Sequence, residues 1–162
     1  MLLSLRTISA ELSVRITSTS LKECEDLLRR VSIGRIACSL NDQPYVVPIS
    51  FAYEAACLYF FSTAGKKIDC MRRNPRVCVQ ADEIVSRDHW TSVLVNGTFV
   101  ELQEPQYTEQ KEHARQLLSQ TAQWWLTPLA ERREHTGDLA IEPLFFRVDV
   151  VSMTGLRTVS EP

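Results

Sequence analysis

The chain has 162 residues, 44% of them hydrophobic, which suits one domain with a real core and argues against two. Its 18 basic and 20 acidic residues leave a formal net charge of -2, so a global pull toward nucleic acid or an anionic membrane is excluded and any anion recognition has to be local. Cys24, Cys38, Cys57, Cys70 and Cys78 include no C-x-x-C pair and read as reduced thiols, and Arg6, Glu11 and Arg15 interrupt the apolar start before a signal or membrane span could form. The expectation is a cytoplasmic protein without nucleic-acid or membrane partners.

Residues 1–19 read as an irregular or strand-forming lead-in. Ser20-Leu21-Lys22-Glu23 is a capping box, and Leu21, Cys24, Leu27, Leu28 and Val31 follow at helical spacing until Gly34. The spacing predicts a helix over 20–31, then a strand over 36–40, a turn over 41–44 and a strand over 45–53. Pro48 lies inside that strand and cannot donate to a ladder, so the strand must be an edge, bulged or opened there. A strand over 57–61 leads through Ser62-Thr63-Ala64-Gly65 into a helix over 66–73, which Asn74-Pro75 ends. Strands are predicted over 76–82 and 90–102, with Gly97 marking a bulge or a close backbone approach, a helix over 107–121, a short helical piece over 128–134 and a last strand over 145–153. Six strands in runs, with helices inserted irregularly, argue for a mainly β fold: a small antiparallel barrel with peripheral helices.

Ser62-Thr63-Ala64-Gly65-Lys66-Lys67 carries the clearest chemistry. Free N–H groups at a helix start, two hydroxyls and two lysines have the makings of a cradle for a phosphate, the other reading being an ordinary solvated lysine face. Lys67 is the stronger candidate. Lys66, one residue round the helix, faces another direction and either joins the cradle or meets solvent.

Other chemistries lack their residues. Gly34, Gly65, Gly97, Gly137 and Gly155 are too dispersed for a dinucleotide fingerprint, and Phe60 and Lys67 stand where a Walker loop needs glycine and a hydroxyl. His89, His113 and His135 have no zinc-site spacing, and no nucleophile elbow is present. Any reaction therefore needs a cofactor to carry it.

Gly34-Arg35-Ile36-Ala37, Pro44-Tyr45-Val46-Val47-Pro48-Ile49-Ser50-Phe51, Leu58-Tyr59-Phe60-Phe61-Ser62 through Gly65-Lys66-Lys67, and Arg72-Arg73-Asn74-Pro75-Arg76-Val77-Cys78 form an ordered set. Val93-Leu94-Val95-Asn96-Gly97-Thr98 and Phe146-Arg147-Val148-Asp149 continue it. The set resembles the pyridoxamine 5'-phosphate oxidase-like, FMN-binding split-barrel superfamily, within it the group of nitroimidazole-resistance-type flavoproteins. The resemblance covers residues 20–157, leaving 158–162 as a tail.

It implies a six-stranded antiparallel split barrel and a homodimer with FMN at the subunit interface. Ser62, Lys66 and Lys67, with Thr63 as an extra donor, would contact the FMN phosphate. The backbone of Val47, Pro48, Ile49, Ser50 and Phe51 would lie along the flavin ring, and Trp90 or the Trp124-Trp125 pair would either cover that ring from the partner or serve in packing. Many relatives of this group carry histidine before the phosphate-segment serine, where this chain has Phe61, so substrate does not transfer with the name. The chain also lacks the long carboxy-terminal segment of pyridoxamine phosphate oxidases. The implied function is an FMN-dependent oxidoreductase passing hydride or electrons between a small donor and acceptor. The alternatives are a non-catalytic flavin- or haem-type binding or sensing module and a deazaflavin-using relative; no catalytic residue and no metal ligand are assigned.

Overall fold

A computed structural model describes residues 14–120 and 143–160. In chain order these form β1 (Val14–Ser18), α1 (Leu21–Arg30), β2 (Ile33–Leu40), β3 (Gln43–Glu54), β4 (Cys57–Ser62), α2 (Lys66–Arg73), β5 (Arg76–Ser86), β6 (His89–Glu101), α3 (Thr108–Ser119) and β7 (Leu144–Ser160). Every strand pairing is antiparallel, and β2, β3, β4, β7, β6 and β5 close into a ring. The expected six-stranded barrel is this ring. A seventh strand, β1, is appended outside it.

The length of β7 makes both features. Its first half lies between β4 and β6, and its second half runs on between β6 and β1, with Val14 opposite Ser160 and Ser18 opposite Leu156. The strand expected to stop at Met153 therefore continues to Ser160, because ladder partners on both sides satisfy its backbone. The end of the lead-in and the start of the tail form one two-stranded extension.

Local signals set the joints. Ser20 caps α1 reciprocally with Glu23, the Ser20 N–H donating to the Glu23 carboxylate at 2.8 Å and the Glu23 N–H donating to Ser20 Oγ at 3.3 Å. The β2–β3 hairpin turns on Asn41 and Asp42, both at positive φ, so β3 begins at Gln43 and the expected four-residue turn is two residues long. The β3–β4 hairpin places Ala55 and Ala56 in the same left-handed region, where alanine is uncommon. Gly34 lies inside β2 instead of stopping α1, which ends at Arg30.

The barrel is filled by phenylalanines. Phe60 stacks on Phe146 at 4.8 Å between ring centres, and Phe51 and Phe99 tilt against this pair. At one mouth α1 adds Cys24, Leu27 and Leu28 to the same core; at the other α2 adds Ile68, Cys70 and Met71. α3 packs outside the wall on a separate cluster of Tyr59, Leu102, Ala114, Leu118 and Phe145.

Gly97 meets both sequence expectations. The β6–β7 register shifts there, and a Cβ would lie 2.6 Å from the Asp149 carbonyl oxygen.

At its far end α2 is clamped to the barrel by Arg72, whose Nε and Nη2 donate to the two Glu101 carboxylate oxygens, each at 2.7 Å. The hydrogen-bonded guanidinium holds the Glu101 carboxyl below its ordinary value of 4.5. A carboxyl depressed in the folded state stabilises above its unfolded value, and that contribution is lost as pH falls through the folded one. Glu101→Gln should lower the urea midpoint at neutral pH, and the gap from the parent protein should narrow when the titration is repeated below pH 4.5; a gap that stays constant with pH would show that the clamp acts through shape alone.

Candidate functional site

Where β3 and β4 part, the barrel opens. Their ladder runs from Glu54–Cys57 to Phe51–Phe60 and stops, while β4 continues to Ser62 with β7 on its other side. Among the described residues the first half of β3 keeps only β2 as a strand partner. Pro48 therefore lies on an open edge, the first of the readings its position allowed.

The Phe51 N–H donates to the Ser32 carbonyl at 2.9 Å. Antiparallel alternation then turns the main-chain groups of Tyr45, Val47 and Ile49 toward β2 and those of Pro44, Val46, Pro48 and Ser50 away from it. Both prolines thus spend their missing N–H on the free edge, where no ladder bond is lost. The same alternation divides the predicted ring-binding residues. Val47, Ile49 and Phe51 point their side chains at the core, with Phe51 fully buried, whereas Pro48 is exposed and Ser50 half-buried on the other face. Ser50 Oγ is enclosed yet has no hydrogen-bond partner among the described residues. A buried hydroxyl left this way costs on the order of 1–3 kcal/mol until something meets it.

At the end of β4, Ser62 is buried and its Oγ donates to the Thr63 carbonyl at 3.1 Å. Thr63 is half-buried, and Ala64 and Gly65 are exposed on the way into α2. Gly65 caps the helix with φ +156° and no side-chain acceptor, so the first N–H groups of α2 have no cap beside them. That backbone region belongs to glycine, while a Cβ would meet nothing within 4 Å. Gly65→Ala should therefore destabilise the fold by about 1–3 kcal/mol through strain alone, read as a lowered urea midpoint. An unchanged midpoint would mean that the turn relaxes without cost.

The two lysines diverge as the helical rotation requires. Lys67 is half-buried beside Cys38, and burial pushes its ammonium below the ordinary 10.5. Cys38 is no counter-ion. Burial, followed by a hydrogen bond with Cys70, pushes its thiol up to about 12, so it stays neutral. Lys66 is exposed and lies over the Tyr45 ring, its Nζ 4.9 Å from the centroid. Among the described residues Lys66, Lys67 and Arg73 make no ion pair, in contrast to Arg72 on the same helix. Lys66 and Lys67, the uncapped start of α2 and buried Ser62 make this turn electropositive, which suits a phosphate, whereas Arg73 lies at the other end of the helix.

The structure thus places Ser62, Thr63, Lys66 and Lys67 together where β4 passes into α2, and Pro48 and Ser50 on the stretch of β3 that β4 does not pair. It does not bring Trp90 there. Trp90 starts β6 opposite Ile84, at the α1 mouth, with its N–H donating to Thr158 Oγ1 at 2.9 Å. Thr98, eight residues further along β6, is the one paired with Arg76 next to α2, a separation of about 27 Å along the strand. Within one chain Trp90 cannot cover a ligand in the cleft. Trp124 and Trp125 lie outside the described residues. Phe61 faces away from Ser62, with its ring 5.5 Å from Phe145 in the cluster under α3. The place of Tyr45 beneath the Lys66 ammonium is not apparent from the sequence alone.

Among the described residues no group of three metal-ligating side chains converges, and no helix is long and apolar enough to cross a membrane. A sequence model of the family described as pyridoxamine 5'-phosphate oxidase matches residues 20–157. An uncharacterized protein of Rhizobium meliloti (strain 1021) is 39% identical over 147 residues, covering 88% of this chain and 93% of its own length. The crystal structure of a FAD-binding protein from Mesorhizobium loti is 36% identical, with a TM-score of 0.74 over 91% of this chain and all of that one. A candidate 5-nitroimidazole antibiotic resistance protein of Bacteroides thetaiotaomicron shares the fold at 21% identity and a TM-score of 0.64, over 92% of this chain and 93% of its own. A cleft beside an open strand edge, a family match across 20–157 and a full-length relative at 39% identity lead to one conclusion: the chain belongs to the pyridoxamine 5'-phosphate oxidase-like split-barrel family.

Proposed function

We propose that this chain is a flavoprotein that binds the FMN moiety of a flavin in the cleft and passes hydride or electrons through it to a small acceptor. The observation that carries the reading is Lys67: a half-buried cation with no anion among the described residues is costly, and a phosphate carrying nearly two negative charges removes the cost. Ser50 supports it from the other edge, because its enclosed Oγ and the outward main-chain groups of Val46 and Ser50 suit the polar rim of a flat heterocycle. The FAD-binding relative at 36% identity supports a flavin as the ligand class. When bound, the flavin supplies the redox chemistry; the chain's own part is to hold the phosphate at Ser62, Thr63, Lys66 and Lys67 and to align the ring along Pro48 to Ser50.

We also propose a homodimer. The β3 edge that the ring would follow has no strand partner among the described residues and carries Val46 at 63% exposure, a surface that a second copy would cover. Trp90, remote within one chain, could approach the ring only from that copy.

Freshly purified protein should show a flavin absorption band, or gain one on addition of FMN, with the ligand identified by mass. Absence of binding by folded protein would refute the reading. A non-catalytic binding module is the second reading. The same phosphate-binding turn would hold the flavin in either case. Anaerobic mixing of the flavin-loaded protein with NADH or NADPH decides between the two: rapid bleaching supports the oxidoreductase, and a flavin that neither donor reduces supports the binding module.

A further inference from the structure

The helix that begins at the cradle rests on a pair of thiols. The inward positions of β2 are Gly34, Ile36, Cys38 and Leu40, and the register sets Cys38 opposite Tyr45 of β3. Leu40 and Tyr45 wall one side of an open groove of about 370 Å³, and Cys70 of α2 lines the same groove from the helix. Cys70 thus faces Cys38 at the foot of the groove, and the two thiols are hydrogen-bonded to each other. Both are buried in one core cluster, yet a small solute in the groove meets Cys70.

The other three cysteines are placed differently. Cys78 pairs with Ala37, one position out of step with Cys38, so it points through the opposite face of the sheet. Cys24 contacts Thr19 at the α1 mouth, and Cys57 on β4 donates to Asp149. Burial keeps the Cys38 thiol neutral, so Cys70 is the group that reacts first and Cys38 the one that follows.

We propose that Cys38 and Cys70 are an oxidation site: a peroxide entering the groove converts the pair to a disulfide that ties α2 to β2. The Cys70 thiol takes one oxygen from hydrogen peroxide, becoming a sulfenic acid and releasing water. Cys38 then attacks that sulfur, its proton leaves with the sulfenic hydroxyl as a second water, and the S–S bond forms. The two thiols lose two electrons, and the peroxide gains them. A small-molecule thiol reverses the step by exchange and is itself oxidised to its disulfide. The bond draws the two sulfurs to about 2.05 Å, closer than a hydrogen bond holds them, so the helix that begins with Lys66 and Lys67 is fixed to the barrel wall.

Treatment of the purified protein with hydrogen peroxide tests this. The intact mass should fall by about 2 Da, the two hydrogens lost, and a peptide map without reductant should join the peptides that hold Cys38 and Cys70. The urea midpoint should rise, because a link between residues 38 and 70 restricts the unfolded chain, and a thiol reductant should restore both mass and midpoint. Cys70→Ala should abolish the crosslink and the rise. In Cys38→Ala the reaction should stop at the Cys70 sulfenic acid, which dimedone traps as an adduct on that peptide. Should either variant fail to fold, the peptide map of the parent protein still decides. A parent protein that keeps Cys38 and Cys70 reduced under peroxide, a crosslink between other cysteines, or one that persists in Cys70→Ala would overturn the proposal.

Discussion

Replacing Lys67 by alanine should weaken FMN binding by about 10- to 150-fold, the equivalent of ~1.5–3 kcal/mol for a charge-assisted hydrogen bond to a phosphate. The same change should leave the apoprotein as stable as the parent or more so, because burial of the unpaired ammonium opposes folding at neutral pH. Opposite signs on binding and stability are the mark of a group kept for a ligand. Isothermal titration with FMN and urea unfolding of the apoprotein measure the two effects. Loss of stability together with loss of binding would recast Lys67 as a structural residue that merely supports α2.

The largest loss of stability is expected from Phe146→Ala, at about 3–5 kcal/mol. Phe146 is fully buried, stacks on Phe60 and tilts against Phe99, so its removal leaves a cavity at the centre of the barrel. The two neighbouring rings belong to β4 and β6, strands locked to either side of β7, and neither can move in without breaking a ladder. Since β4 ends in Ser62, the cradle should also loosen. Urea unfolding gives the stability, and FMN titration at low denaturant gives the cradle. A cost near 1 kcal/mol would mean that the core collapses around the gap and that the barrel is more plastic than its ladders imply.

Much of this fold is legible because local rules and tertiary structure agree. The Ser20–Glu23 capping box starts α1, and Asn74-Pro75 ends α2 at Arg73. Pro48 announced an open edge, and alternation shows why Pro44 can share it: both face away from β2. The misses are places where long-range pairing decides. Continuation of β7 past Met153 depends on β1, a partner more than a hundred residues away in sequence. Ala55 and Ala56 turn the β3–β4 hairpin with no residue that signals positive φ; strand register imposes their conformation.

The site divides in the same way. Ser62 to Lys67 stands out as a candidate from residue types, a hydroxyl pair, a glycine and lysines at a helix start, although lysines there are more often only a solvated face. Which lysine is buried cannot be found that way, since that depends on where Cys38 and Tyr45 of the hairpin lie beneath α2. Trp90 stands at the opposite mouth by the register of β5 with β6, so its expected place over the ring depends on a second copy and not on this chain's own fold.

The central claim is that the cleft recognises a flavin through its phosphate. Titration of apoprotein with riboflavin and with FMN under identical conditions tests it most directly, because the two ligands differ only in that group. FMN should bind at least about tenfold more tightly than riboflavin, and raising the ionic strength should narrow the difference. Equal affinity for the two ligands, or preference for riboflavin, would contradict it.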